Sequence, residues 1–594
     1  MINENASYWK PRYLSWLDGV GKSWCGSTTV VDALLIRPEF SYWWMTIPAN
    51  HSFGTTSIAY ATLRLWALAQ ITDARNVEEL RVCGADASLE EVLTFWCHGT
   101  GRKITFIPAQ VTNKSESRSQ TLSLSIKNAL PPLVKGLGYL FLQYLRYFTM
   151  QRPQRPLDSV KVPAITVVDY FASFDVAAAH ESNYKSNYWG PLTPLLHELG
   201  LTINWIHLDI RSASLPDVRS ARSAIAGLNR GSSSSQHVLI QDHLKLGVAL
   251  KTMARYMRIR RIARRNSSQI HWDDSVSGID VSPLITPTLH SDLRGLGAAK
   301  NALWLTLFEE TLSSRTSLDA CIYLMENKPW ELAFLNAWTI RGSGPAIGVA
   351  HTTVRTWDLP YALGSSTVSA EDNRSLPRPT HVAVIDPASE GVMSANGLKP
   401  SMIVKVEALR FLSLDPATGA ASSNRSKKFA RKRVLVFGEY DAFMVALQLQ
   451  ILQELVPLAK NSYAFRFRPH PADLILQRSL PAGVSLSRAL SVREDLAECD
   501  VALCSDVSAT SLDANLEGVP VLMFRDGRGL NGSLLSPGPS VRLVNNATDV
   551  LSALEQIDFG SGRISGDEPY PMYLDIGLTK WKALLTSTIG HGDA

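Results

Sequence analysis

The stretch VLVFGEYDAFMVALQLQILQELVPL, residues 434–458, decides the fold of the C-terminal part of the chain. Its first four apolar residues predict a buried strand, GEYD predicts a loop, and the amphipathic run that begins at Ala442 predicts a helix. The next strand-like run, at residues 464–467, ends on RPHP at residues 468–471. A strand, a helix and a second strand in succession are typical of a parallel, doubly wound sheet.

The same alternation runs through most of the chain. Further apolar runs predict strands at residues 164–168, 202–208, 320–325, 346–350, 501–504 and 519–524. An amphipathic run at residues 190–199 predicts a helix between the first two of them. We therefore predict an α/β protein with two Rossmann-like domains, each built on a parallel sheet.

Length and composition are those of an ordinary folded protein. With 594 residues the chain is too long for one core, so two or three domains are expected. Charged residues make up 19%, and the net charge of +5 is too small for a dedicated nucleic-acid binder. The six cysteines form no CxxC pair, which indicates reduced thiols and no metal site.

The sequence also bears on the compartment. The N-terminus lacks the basic and apolar segments of a signal peptide. The most apolar long run, residues 131–150, is interrupted by Lys135 and Arg146, so it predicts a buried or interfacial helix and not a membrane span. We expect a cytoplasmic protein.

One stretch divides the chain. Residues 413–433 are poor in apolar and rich in basic and small residues, which predicts an exposed linker. It separates an N-terminal domain of residues 1–412, with extra N-terminal elements, from a C-terminal domain of residues 434–570. Residues 229–237 (NRGSSSSQH) predict a surface loop.

Polar residues follow the predicted strands of the C-terminal domain. Ligands of open α/β sheets bind beyond the carboxyl ends of the strands, so these residues are candidates for binding. They are Glu439 after the first strand, Arg468, His470 and Pro471 after the second, and Ser505, Ser508 and Thr510 after the third. Hydroxyl groups at a helix start, an imidazole and a cation suit a phosphate or a nucleotide. The alternative is an ordinary capped helix beside a surface arginine.

These residues also resemble a known family. The RPHP loop, and the Ser/Thr-rich loop at residues 505–511 with its helix and GVP exit, are similar to the donor half of GT-B glycosyltransferases. The sialyltransferase-like and Kdo-transferase-like enzymes of bacterial capsule and O-antigen synthesis resemble it most. Stretches similar to surface-carbohydrate proteins lie at residues 41–46, 323–331, 347–361, 406–411 and 570–585. The chain departs from the pattern in lacking a clear acidic-acidic-Gly motif and in carrying Asp513 where Glu is frequent.

The resemblance implies a GT-B-like fold, in which the two sheets face a central cleft. It implies that His470, Pro471, Ser505, Ser508 and Thr510 hold cytidine monophosphate. The donor would be a CMP-activated keto sugar, Kdo or a sialic-acid-like nonulosonic acid, with no other cofactor and no metal. The acceptor would be a surface polysaccharide or a lipid-linked glycan on the N-terminal domain. Residues 571–594 would form a helix that crosses back to that domain.

Three residues of the N-terminal domain are catalytic candidates. Asp169, Glu326 and His351 follow predicted strands at residues 164–168, 320–325 and 346–350. Inversion at the sugar needs a base, and retention by double displacement needs a carboxylate nucleophile. The alternatives are structural, because Asp169 could cap a helix, Glu326 could pair with Arg355 and a single histidine is often part of a core.

Two further features have open interpretations. Residues 253–265 carry six arginines and no acidic residue, with Met253, Tyr256, Met257 and Ile262 as a partial apolar face. Such a helix predicts a peripheral contact with the inner membrane, and a solvated basic face is the alternative. Trp43 and Trp44 predict either stacking on sugar rings or a place in the core.

Two rival functions stay open on the sequence. The first is the same fold acting on a UDP- or GDP-sugar, as a transferase or an epimerase. The second is a non-catalytic polysaccharide-assembly protein that keeps the fold as a binding module.

Overall fold

A computed structural model describes most of the chain. The described residues are 2–50, 58–108, 130–148, 163–171, 174–175, 178–179, 184–186, 188–211, 215–231, 234–266, 270–274, 276–313, 318–362, 376–414, 431–439, 441–459, 462–470, 480–489, 491–525, 530–535, 537–557 and 572–589.

The N-terminal domain is built on a seven-stranded parallel sheet. Its strands are β1 Ala164–Tyr170, β2 Thr202–Leu208, β3 Ser235–Leu239, β4 Ala320–Leu324, β5 Ala346–Ala350, β6 His381–Val384 and β7 Ile403–Lys405. Their spatial order is β7-β6-β5-β4-β1-β2-β3. The central strands are buried on both faces, as expected for a parallel sheet covered by helices.

The C-terminal domain is built on a six-stranded parallel sheet. Its strands are β8 Lys432–Phe437, β9 Tyr463–Arg468, β10 Val484–Leu486, β11 Val501–Ser505, β12 Val521–Phe524 and β13 Val541–Val544. Their order is β10-β9-β8-β11-β12-β13, so both sheets follow the doubly wound pattern in which the first strand lies beside the fourth.

Helices cover these sheets and form the N-terminal elements. The main helices are α1 Ala6–Lys22, α2 Ile58–Ala74, α3 Ala87–Thr100, α4 Pro132–Phe148, α5 Leu192–Glu198, α6 Val218–Gly231, α7 Leu246–Asn266, α8 Ser282–Arg294, α9 Leu296–Ser313, α10 Pro329–Ile340, α11 Pro387–Ala395, α12 Ala442–Leu458, α13 Val492–Ala497, α14 Thr510–Leu516, α15 Ala547–Gln556 and α16 Thr579–Ile589. A small parallel pair, Glu79–Cys83 with Lys103–Ile107, lies outside both sheets.

The structure confirms the predicted α/β class with two parallel sheets. The predicted helix at 442–458 is observed as α12, which Asp441 caps by accepting a hydrogen bond from Met444 N. The loop predicted at residues 229–237 is wrong, because α6 continues to Gly231 and β3 begins at Ser235. Asn229 explains the difference, since its side-chain amide exchanges two 2.8 Å hydrogen bonds with the backbone of His237.

The C-terminal helix α16 packs on the N-terminal domain. Trp581 is fully buried there, and its Nε1 donates to the carbonyl of Glu407 at 3.0 Å. The buried carboxylate of Glu407 accepts from the backbone N–H groups of Lys580 and Trp581 at the start of the helix. Most of the predicted linker, residues 415–430, lies outside the described residues.

Candidate active site

The first candidate site lies at the switch point of the C-terminal sheet. Strands β8 and β11 are neighbours there, and their connections leave in opposite directions, which opens a crevice at the carboxyl ends. Glu439 follows β8 and Ser505 ends β11. The buried Ser505 Oγ donates to Glu439 Oε1 at 2.5 Å, so these two predicted residues form the floor of the crevice.

Gly438 allows β8 and its other neighbour, β9, to approach closely at their carboxyl ends. Its N–H donates to the carbonyl of Arg468 at 2.8 Å, and an added Cβ would lie 2.7 Å from the ring of Phe467. Glycine is therefore needed here for a close approach of side chain to backbone. This contact brings the loop with His470 beside the loop with Glu439.

The hydroxyl groups of the next loop lie near the crevice floor. Ser508 Oγ and Thr510 Oγ1 share a 2.8 Å hydrogen bond, and Thr510 Oγ1 also donates to Cys504 Sγ at 3.8 Å. The helix that follows, α14, has only seven residues, so its dipole is short. Any anion bound here would therefore depend more on the hydroxyl groups of Ser508 and Thr510 than on the dipole of α14.

Arg468 is engaged inside its own domain. Its Nη1 lies 2.5 Å from the fully buried carboxylate of Asp495 and donates to the carbonyls of Ala489 and Ser491. This position does not favour the predicted contact of Arg468 with a donor. His470, two residues further, is half-buried, and Pro471 lies outside the described residues.

The second candidate site lies at the switch point of the N-terminal sheet. Strands β1 and β4 are neighbours there. Tyr170 ends β1, and its hydroxyl donates to Glu326 Oε2 at 2.9 Å just beyond β4. Trp330 Nε1 donates to the same hydroxyl at 3.0 Å, so the carboxylate of Glu326 is held in one orientation. Burial, followed by the charge of Glu326, raises the pKa of Tyr170 and keeps it a donor.

Glu331, close to Glu326 in the sequence, has a structural role. Its carboxylate accepts from the backbone N–H groups of Glu326, Asn327 and Lys328 at 2.9–3.0 Å. Burial raises its pKa to about 8. Glu331 therefore caps α10 and fixes the loop that carries Glu326.

His351 lies beyond the neighbouring strand β5. Tyr188 packs edge-on against its ring at 4.9 Å, and its buried Nδ1 has no hydrogen-bond partner in the described part of the chain. Burial lowers the pKa of His351, and the charge of Glu326 partly counteracts this effect. His351 and Arg410 line a small pocket. A neutral imidazole with an unused nitrogen is a suitable proton acceptor.

Asp169 is not at the end of its strand, because β1 continues through Tyr170. It is 1% exposed, its Oδ1 lies 2.6 Å from His207 Nδ1, and its Oδ2 accepts from the Tyr184 hydroxyl at 2.8 Å. His207 Nε2 in turn lies 2.9 Å from His237 Nδ1. Asp169 therefore orients a buried histidine pair, and this interior position does not favour the predicted contact with substrate.

Two arginines outside the predicted site residues connect the carboxyl edges of the sheets. Arg355 follows β5, and its Nη1 donates to the carbonyls of Gly532 at 2.7 Å and Val507 at 3.2 Å in the C-terminal domain. Its carboxylate partner is Asp358 and not, as the sequence suggested, Glu326. Arg410 pairs with Asp513 of α14 at 2.6 Å. These contacts bring the carboxyl edges of the two sheets together.

The two tryptophans differ in burial but line the same pocket. Trp43 is 1% exposed and stacks on Trp272, which places it in the core. Trp44 is half-buried, and both tryptophans line a largely apolar pocket together with Asn327 and Tyr361. Asn327 follows Glu326, so this pocket begins next to the second candidate site.

No group of three or more His, Cys, Asp or Glu side chains in the described ranges has the arrangement of a metal site. Cys83, Cys97, Cys321, Cys499 and Cys504 form no disulfide among the described residues.

Comparisons with known proteins give fold-level similarities only. No protein-family model matches the chain, and no curated protein matches it in sequence. The UDP-GlcNAc 2-epimerase from Neisseria meningitidis bound to UDP-GlcNAc is 10% identical, with 72% of this chain and 100% of that chain covered and a TM-score of 0.39. The calicheamicin glycosyltransferase CalG4 is 11% identical, with 68% and 92% covered and a TM-score of 0.35. MurG of Acinetobacter baumannii is 10% identical, with 67% and 93% covered and a TM-score of 0.32. The positions of the candidate sites rest on the chain's own strands and contacts.

Proposed function

We propose that the protein is a glycosyltransferase that moves a sugar from a nucleotide donor to a glycan acceptor across the cleft. The observation that carries this proposal is that Arg355 and Arg410 join the carboxyl edges of the two sheets, the edges at which both switch points lie. Each crevice is a standard place for a ligand in a doubly wound sheet. Two facing crevices suit a reaction between two bound substrates.

The donor binds on the C-terminal side in this proposal. Glu439 accepts from a ribose or base, as it does from Ser505, and the hydroxyls of Ser508 and Thr510 donate to phosphate oxygens. His470 stabilises the negative charge that develops on the phosphate as it leaves. The donor is a CMP-activated keto sugar, which the resemblance of the RPHP and Ser/Thr loops to CMP-using enzymes supports.

The acceptor binds on the N-terminal side, near Glu326 and His351. His351 takes the proton of the acceptor hydroxyl, the freed oxygen attacks the anomeric carbon, and the bond from that carbon to the phosphate breaks. CMP leaves with the bonding electrons. Glu326, oriented by Tyr170, stabilises the protonated imidazole in this inverting route. In a retaining route the same carboxylate would attack the sugar, and the anomeric configuration of the product distinguishes the two.

Nucleotide binding tests the proposal. Calorimetry with CMP, UDP and GDP is carried out on the wild type, on His470→Ala and on a matched control, His197→Ala, whose histidine is exposed in the N-terminal domain. Selective binding of CMP that only His470→Ala loses supports the keto-sugar donor. A preference for UDP or GDP overturns the CMP-activated donor but leaves the proposal of a glycosyltransferase in place. If no nucleotide binds, and cells with His470→Ala or Glu326→Ala still produce the polysaccharide, the proposal that the protein is an enzyme is overturned.

A further inference from the structure

Helix α4 leaves large apolar side chains exposed. Val134, Phe141, Leu142, Leu145 and Phe148 are 47%, 60%, 64%, 39% and 53% exposed. Their spacing of three, four and seven residues places them on one face of the helix. The opposite face packs into the core of the N-terminal domain, where Gly136 and Tyr147 are buried.

Helix α7 lies beside α4 and runs antiparallel to it. Near the start of α4, Gly136 abuts the ring of Tyr256, whose hydroxyl lies 3.3 Å from the carbonyl of Pro132. At the other end of α4, Arg146 pairs with Asp209 at 2.8 Å. The N–H of Asp209 donates to Gln241, shortly before α7 begins. The start of α4 therefore meets the middle of α7, and its end lies near the start of α7.

The outer face of α7 is also apolar in its first half. Leu246, Leu250, Met253 and Met257 are 58%, 53%, 41% and 45% exposed, at intervals of three or four residues. Tyr256 is fully buried, so it does not share a face with Met253 and Met257 as the sequence suggested. A second set of exposed apolar side chains therefore lies on a helix that contacts α4.

The second half of α7 is basic and exposed. Arg258, Arg261, Arg264 and Arg265 face solvent and form no ion pair within the residues that the structure describes. By contrast, Arg255 is paired with Glu309 at 2.7 Å. Neither helix contains an acidic residue. The face thus combines an apolar patch with charge of one sign.

We propose that the exposed faces of α4 and α7 dock on an anionic lipid bilayer. Apolar side chains on one face and arginines beside them are the arrangement of interfacial helices, in which the apolar groups enter the acyl boundary and the arginines meet lipid phosphates. A bilayer surface matches both the single sign of charge and the exposed apolar side chains of the two helices. No helix among the described residues is long and apolar enough to cross a membrane.

This inference deepens the proposed function by naming a partner surface. A lipid-linked acceptor lies at such a surface, and docking would bring the cleft to it. The inference is tested without donor or acceptor, so its failure and the failure of the transferase are distinguishable.

Vesicle flotation of the full chain is the test. The vesicles contain either phosphatidylcholine alone or phosphatidylcholine with phosphatidylglycerol. The wild type should float with the anionic vesicles, and 0.5 M salt should reduce the bound fraction. Phe141→Gln/Leu142→Gln should lower partitioning about tenfold or more, since each side chain is more than half exposed and buries apolar area only on the membrane. Arg258→Gln/Arg261→Gln/Arg264→Gln should lower it on the order of a hundredfold, since each arginine near an anionic surface contributes roughly fivefold.

Two control variants make similar changes on other surfaces of the protein. Phe95→Gln removes a phenylalanine that is 79% exposed on α3, and Arg75→Gln/Lys399→Gln/Arg431→Gln removes three exposed positive charges. Both should float like the wild type, and circular dichroism should show all variants folded. A wild type that does not float, or floats equally after both face changes, overturns the proposal. A wild type that self-associates in sedimentation until Phe141 and Leu142 are replaced, without floating, shows instead that the face joins copies of the chain.

Discussion

Arg410 Nη2 lies 2.6 Å from Asp513 Oδ2, in an ion pair that connects the N-terminal domain to helix α14 of the C-terminal domain. Both side chains are partly exposed, at 34% and 16%. We expect Arg410→Ala to lower the free energy of unfolding by only about 0.5–1 kcal/mol, as for other partly exposed pairs. Denaturant unfolding of Arg410→Ala, Asp513→Ala and the double variant measures it. Fully additive effects would show that the pair is not coupled.

We expect Arg468 to stabilise the fold and His470 to bind the nucleotide. Arg468→Ala leaves the buried carboxylate of Asp495 with the more distant Arg466, at 3.5 Å. We expect a loss of about 2–3 kcal/mol, below the roughly 3–5 kcal/mol of a fully buried pair because Arg468 is partly exposed. His470→Ala should leave the unfolding midpoint nearly unchanged and weaken nucleotide binding. Urea titrations and calorimetry on both variants separate the roles, and a stable Arg468→Ala that no longer binds nucleotide would reverse them.

The pH dependence of transfer should reveal the base. Burial lowers the pKa of His351, while the charge of Glu326 raises it, so removing that charge should lower it further. We therefore expect the acid limb of kcat/KM to move to lower pH in Glu326→Gln, although the maximum rate falls. In His351→Asn the limb should disappear. A limb that stays in place in His351→Asn would assign the proton transfer to another group.

The buried histidine pair should make stability depend on pH. Burial, followed by the neighbouring His207, lowers the pKa of His237 in the folded protein. Below the ordinary value of about 6.5, the unfolded chain binds a proton that the folded chain refuses, so stability is lost as the pH falls. The slope is about 1.4 kcal/mol per pH unit for one proton. We expect this part of the slope to be absent from His237→Phe, measured by urea unfolding between pH 7 and 5. Equal slopes in both proteins would contradict the assignment.

The C-terminal helix should be needed for the stability of the N-terminal domain. Trp581 fills the core beside Trp189 and Leu585, and its exposure is zero. We expect Trp581→Ala to cost about 3–5 kcal/mol, as large-to-small changes in cores do. Thermal unfolding monitors this loss. Trp24→Ala is the control, because Trp24 is 72% exposed and should change the midpoint little.

The elements that could be predicted from the sequence are those that a run of neighbouring residues specifies. Apolar runs located the central strands, and the polar residues at their ends included Glu439, Ser505 and Glu326, which the structure places at the two switch points. Strands β6, β7, β10 and β13 were not predicted, because each has only three or four residues, too few for a clear apolar pattern.

Other features depend on distant parts of the chain. The sequence alone predicts a free strand-end carboxylate at Asp169, but β2 brings His207 beside it and β3 brings His237 beside His207. Arg355 gains its role only when Gly532 arrives from the other domain, 177 positions away. The polar stretch near Ser235 becomes a strand because Asn229 supplies the hydrogen bonds that an edge would otherwise lack. No pattern of neighbouring residues encodes such contacts.

The return of helix α16 has a mechanical consequence. Helix α16 comes after the C-terminal domain in the chain, yet it packs on the N-terminal domain, where Glu407 and Trp581 hold it. The C-terminal domain is therefore connected to the N-terminal domain at both of its ends. Pulling the two domains apart would load α16 as well as the contacts of Arg355 and Arg410, so these restraints should act together.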